Sequence, residues 1–231
     1  MTARYAIYYA PSHESPWWAF GACWLGRNER SGEALAQPVL PPLSAAELAR
    51  ISARPRRYGF HATLKAPFRL QAGETADTLI ERVEALAGSR DAVPLGTLVP
   101  VFMEGFVALV PSDVNPALNA LAEACVTRLD DLRAPITNSE LARRRPDSLD
   151  ARGRELLERF GYPYTLERFN FHMTLTGRID TALAGQLVAQ IARPVAQLNI
   201  AAPPVLDRLC VFCESEPDAP LLRIADARLR G

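Results

Sequence analysis

Charge of neither sign prevails in this sequence: 26 Lys and Arg are balanced by 26 Asp and Glu. Without a global field, duplex nucleic acid and an anionic membrane surface are poor partners. No apolar run approaches the ~18–20 residues of a membrane span. The start, Met1-Thr2-Ala3-Arg4 before Tyr5-Ala6-Ile7-Tyr8-Tyr9, lacks the architecture of a signal peptide and reads as a first strand. A cytoplasmic location is the resulting expectation. Cysteines number four, at 23, 125, 210 and 213, in mostly apolar surroundings that suit reduced thiols. Cys210 and Cys213 make a CxxC, yet a strand sends positions i and i+3 to opposite faces, which disfavours a chelate or redox pair. Neither GxxxxGK[ST], GxGxxG nor HExxH occurs, so glycine-loop nucleotide binding and HExxH zinc chemistry have no support.

Histidine is scarce too, at three residues, and two of the three share one frame. Arg57-Tyr58-Gly59-Phe60-His61-Ala62-Thr63-Leu64-Lys65 is echoed by Arg168-Phe169-Asn170-Phe171-His172-Met173-Thr174-Leu175-Thr176, 111 residues on (172 − 61). The shared Phe-His-x-Thr-Leu alternates with period two, the pattern of a strand. His61 and Thr63 then point to one face, with Phe60, Ala62 and Leu64 behind them. His172 and Thr174 stand likewise before Phe171, Met173 and Leu175. The third histidine, His13, lies in a polar loop, where exposure is the simplest reading.

The remaining chain reads as a mixture of strands and amphipathic helices. Helices are expected from Trp17 to Leu25, from the capping box Ser44-Ala-Ala-Glu47 to about Ile51, and from Thr75 to Gly88. Others are expected from Asn115-Pro116 to about Leu132, from the capping box Thr137-Asn-Ser-Glu140, over Asp150–Phe160, and from Asp180 to just before Pro194. Strands are expected over Val93–Val101, Phe106–Val110, Val195–Ala201, Val205–Phe212 and Leu221–Ala227. No linker separates them, so residues 1–231 read as a single domain with one histidine motif in each half.

A lone strand histidine is more often structural than catalytic, but a matched pair with matched threonines favours a site. Zinc usually needs three or four protein ligands, which a zinc hydrolase would have to find without paired carboxylates near either histidine. A nucleophilic triad also fits poorly, because no serine or cysteine occupies a nucleophile elbow.

His61-Ala-Thr63-Leu64 and His172-Met-Thr174-Leu175 resemble the paired HxTx motifs of the two-histidine (2H) phosphoesterases. The flanks, Arg56 to Phe68, Gly161-Tyr-Pro-Tyr164 and Phe169 to Gly177, resemble a bacterial branch associated with phosphonate metabolism. The resemblance implies a bilobed α+β fold, with two pseudo-symmetric antiparallel sheets, helices outside and a central cleft. It also implies metal-independent cleavage of cyclic or 2′,5′-linked phosphodiesters; the expected substrate is a small ribosyl or nucleoside cyclic phosphate, hydrolysed without a cofactor. In that reading His61 and His172 are the acid–base pair, and Thr63 and Thr174 bind the phosphate. Lys65, Thr176, Tyr58, Arg168, Arg143 and Tyr5 are candidate substrate contacts. For Arg143 to Arg145 a solvated face is the simpler reading and a lip of the anion site the alternative. A non-catalytic protein holding a phosphorylated ligand or an RNA end in the same cleft is the competing function.

Overall fold

The computed structural model describes residues 3–231; Met1 and Thr2, which precede the expected first strand, lie outside the described residues. The chain begins with β1 (Arg4–Tyr9), α1 (Pro16–Leu25), α2 (Ala45–Arg56), β2 (Ala62–Phe68) and α3 (Ala76–Ala87). It continues through β3 (Val93–Pro94), β4 (Leu98–Met103), β5 (Phe106–Pro111), α4 (Pro116–Thr127), α5 (Asn138–Arg143) and α6 (Ala151–Phe160). β6 (Met173–Thr174), α7 (Thr181–Ala201), β7 (Val205–Leu206), β8 (Arg208–Glu214) and β9 (Leu222–Arg228) complete it. Each of these helices opens on Ser, Thr, Asn or Asp whose side chain accepts a first-turn N–H, which is why the capping signals located them.

Seven strands pair in the order β4-β5-β6-β2-β1-β8-β9, antiparallel throughout, and β3 with β7 makes a second, two-stranded sheet. The expectation of two pseudo-symmetric sheets is therefore corrected. β6 pairs directly with β2, Ala62 opposite Met173, and this joint merges both histidine strands into one continuous sheet. Each motif has an apolar back that needs cover, and adjacent strands share it. Leu79 and Val83 of α3, Leu118 and Leu121 of α4, and Leu187 and Ile191 of α7 enter one core with Ile7, Leu64, Leu109 and Val211 of the sheet. α3, α4 and α7 thus pack their apolar stripes against one face of the sheet.

Two helices pass prolines at which sequence alone would stop them. α2 continues over Pro55, and the Ile51 carbonyl that a proline cannot engage accepts instead from Gly177 N–H at 2.6 Å. That bond ties the approach to the first motif to the exit of the second. α7 runs through Pro194, and the expected strand Val195–Ala201 is helix. Val195 extends the buried stripe of Ala184, Leu187 and Ile191. Asn199 locks the final turns by exchanging hydrogen bonds of 2.9 and 2.8 Å with the backbone of Leu98. Together these contacts offset the ~3 kcal/mol a helical proline costs. The expected strand Val93–Val101 is split into β3 and β4 around Gly96, whose φ is +69°.

Candidate active site

The Ala62–Met173 pairing fixes the geometry of the site. Extended by one residue each way, the antiparallel register sets His61 opposite Thr174 and Thr63 opposite His172. All four side chains line a single cleft of about 590 Å³, whose walls also include Arg54 of α2, Val126 of α4, Arg143 of α5 and Phe160 of α6. Phe60, Ala62, Leu64, Phe171, Met173 and Leu175 are buried behind them.

The two imidazoles are held alike. His61 Nδ1–H donates to the Gly59 carbonyl and His172 Nδ1–H to the Asn170 carbonyl, both at 2.8 Å. A carbonyl only accepts, so each neutral ring carries its proton on Nδ1 and leaves Nε2 unprotonated. Thr63 Oγ1 lies 3.3 Å from His61 Nε2 and can donate to it. Gly59 reaches this geometry at φ +78°, where a Cβ would stand 2.7 Å from Cβ of Glu29. Only glycine meets both demands. Tyr8 stacks on the other side of His61, ring centroids 3.9 Å apart and planes 26° from parallel.

Burial pushes the His61 pKa down to about 4, against the Gly59 hydrogen bond, which raises it; the nearby His172 charge lowers it further. The unfolded imidazole, near 6.5, takes up its proton first as pH falls. The folded state therefore loses stability between about pH 6.5 and 4, by up to ~3 kcal/mol from this group. Urea unfolding at about pH 7 and 4.5 should show a larger loss in the wild type than in His61→Gln. Equal losses would mean that the ring is not held neutral.

The cleft is strongly cationic: seven arginines and Lys65 line it, against the carboxylates of Glu140 and Asp218. Arg4 and Arg57 converge on buried Glu214. Arg69 forks onto Glu140 at 3.1 and 3.2 Å. Lys65 is buried, donating to Asp130 at 2.9 Å and to the Val126 carbonyl at 3.1 Å, so its ammonium is already engaged. Tyr58 and Arg143 line the cleft as well.

Thr176, Arg168 and Tyr5 do not. β6 ends at Thr174, and the N–H groups of Leu175 and Thr176 both reach the Val107 carbonyl, which breaks the alternation. Buried Thr176 then accepts from Val107 N–H at 2.9 Å. Arg168 pairs with Asp150 at 2.5 Å outside the cleft. Tyr5 packs against the main core. His13 rests on Trp18 at 3.9 Å, also outside the cleft. Cys210 is buried and Cys213 half-buried, both free. Among the described residues no three His, Cys, Asp or Glu side chains gather as a metal ion would require, and no helix is long and apolar enough to cross a membrane.

Sequence reasoning missed Tyr8, Arg57 and Arg69 as lining residues, whereas Arg144 belongs to the Arg143 to Arg145 cluster for which a lip of the anion site was the alternative reading. For Tyr8 a signal existed. Ala6, Tyr8 and Ala10 alternate with Tyr5, Ile7 and Tyr9, and the two sets enter different clusters.

Residues 63–222 match a family described as "Protein of unknown function (DUF1045)". The chain belongs to that family. The DUF1045 match takes in Thr63, His172 and Thr174 and begins two residues after His61. A protein of Janthinobacterium sp. (strain Marseille) named ribose 1,5-bisphosphate phosphokinase PhnN is 40% identical over 224 residues, covering 95% of this chain and 49% of the relative. One of the same name from Laribacter hongkongensis (strain HLHK9) is 36% identical over 218 residues, covering 94% of this chain and 49% of the relative. This DUF1045 chain thus spans about half the length of those curated relatives.

Proposed function

We propose that the chain is a phosphodiesterase that opens a small cyclic phosphate of a phosphorylated ribose or a nucleoside, in phosphonate metabolism, by acid–base catalysis between two histidines. One observation carries this reading: two imidazoles, each anchored through Nδ1 to the carbonyl two residues earlier, share one sheet face and one cationic cleft. His61, held neutral by burial, is the base and takes a proton from water on Nε2 as the water oxygen bonds to phosphorus. The ring P–O bond breaks, and Nε2–H of protonated His172 gives its proton to the departing sugar oxygen. A phosphodiester monoanion becomes a phosphomonoester. Thr63 and Thr174 donate to the non-bridging oxygens, where charge gathers in the transition state.

The relatives' name supports phosphorylated ribose as the substrate class. Its kinase part belongs to proteins of twice the length. The 231 residues here contain no GxxxxGK[ST] loop, the usual cradle for a nucleotide's phosphates, so the reading takes from that name the sugar phosphate and not the phosphoryl transfer. A panel of ribosyl and nucleoside cyclic phosphates, followed by phosphorus NMR, tests it. A phosphomonoester resonance should appear with at least one compound, at the same rate with and without EDTA. Binding without product would instead make the cleft a ligand-holding site, and loss of the product with EDTA would make the reaction metal-assisted.

A further inference from the structure

The charges around the cleft do not cancel, and their distribution is uneven. Glu214 answers Arg4 and Arg57, Asp130 answers Lys65 and Arg133, and Glu140 answers Arg69. Arg54, Arg143 and Arg144 line the cleft and pair with no carboxylate among the described residues, and the last two are neighbours in the chain. Arg144 lies over Tyr162, its guanidinium carbon 4.8 Å from the ring centre. Arg143 is the last residue of α5 and Arg144 its C-cap, and the helix buries none of its residues. It is tied to the end of β2 by the Arg69–Glu140 fork, with a further hydrogen bond of 2.6 Å from Arg69 to the Pro135 carbonyl just before it. Arginines without carboxylate partners at the edge of a cavity leave positive charge there that an anion can neutralise. A cyclic diester brings one negative charge and is placed at the floor, between the histidines; a phosphomonoester brings about −1.5 to −2.

We infer that the lip formed by Arg143 and Arg144 is a second anion subsite, so that the preferred substrate is a cyclic phosphate carrying a separate phosphomonoester. The inference rests on reading the histidine floor as the site of the cyclic phosphate. Arginine suits the lip because its planar fork binds phosphate through two parallel N–H donors. The Tyr162 ring gives the Arg144 guanidinium a cation–π contact that helps hold it at the cleft.

Calorimetry with two non-reacting probes, ribose 5-phosphate and ribose 1,5-bisphosphate, tests the subsite without requiring turnover. The bisphosphate should bind the wild type about 10- to 100-fold more tightly, the range expected from one added set of charged hydrogen bonds. In Arg143→Ala/Arg144→Ala the ratio should fall to about threefold or less. It should persist in Arg168→Ala, which alters a surface arginine outside the cleft, and largely persist in Arg143→Lys/Arg144→Lys, which keeps the charge. Equal affinities in the wild type, or a ratio unchanged in the double alanine variant, would overturn the subsite. Should the ratio behave as stated while no cyclic phosphate is hydrolysed, the subsite stands and the phosphodiesterase reading falls. Histidine-dependent hydrolysis with no preference for the bisphosphate is the converse.

Discussion

Alanine at His61 or at His172 is expected to lower kcat/KM for a cyclic phosphate by about 10²–10⁴, the usual worth of a positioned acid or base. The double variant should be little worse than either single one, because groups that act as one unit do not contribute additively. The structure supplies the reason for such coupling. The two rings stand across one β2–β6 joint, so a base on one side of phosphorus has little use without an acid on the other. The acidic limb of the wild-type kcat/KM profile should lie below the ordinary imidazole value of ~6.5, since burial holds His61 neutral to about 4. In His61→Ala that limb should vanish, leaving a slow rate without it. Activity surviving in both single variants would remove the mechanism. Neither change should unfold the protein, because both rings border the cleft rather than fill the core.

Much of this site was legible because strand alternation is a local property. Parity alone put His61 and Thr63 on one face and Phe60, Ala62 and Leu64 on the other, and burial follows that division. Parity also aimed Lys65 at the cleft, but its partner Asp130 lies 65 residues away, and no local pattern reveals such a pairing. Thr176 marks where parity fails: a two-residue strand ends before it, and a doubled contact with the Val107 carbonyl turns its hydroxyl into the structure. That β2 and β6 would be neighbours in one sheet is likewise a tertiary fact, set by which apolar backs share a core. The capping boxes of α2 and α5 were readable because a cap is satisfied within four residues. The course of α7 past Pro194 was not, because the Asn199–Leu98 contact that secures it spans 101 residues.

Arg223→Met is expected to cost about 3–5 kcal/mol of stability, the price of leaving a buried charge without its partner. Arg223 and Glu29 both have fully buried side chains, joined at 3.2 Å, and Arg223 also bonds Asp226 at 2.6 Å and the Pro11 carbonyl at 2.8 Å. Methionine keeps much of the volume and removes the cation, so the Glu29 carboxylate keeps only the Trp18 indole N–H, at 2.8 and 2.9 Å. A loss of that size is a large share of the 5–15 kcal/mol typical of a folded domain. Adding Glu29→Gln should restore at least half of it, since removing both charges costs far less than removing one. Urea unfolding of the wild type, Arg223→Met and Arg223→Met/Glu29→Gln measures each term, and a single-variant loss under about 1 kcal/mol would contradict a dry pair. The effect should also reach the site. Glu29 packs where a Gly59 side chain would be, and the Gly59 carbonyl holds His61 Nδ1. In the folded fraction of Arg223→Met, kcat should therefore fall more than the affinity for a phosphate product, because a shifted Gly59 misaligns the base while the arginines that hold the anion stay in place.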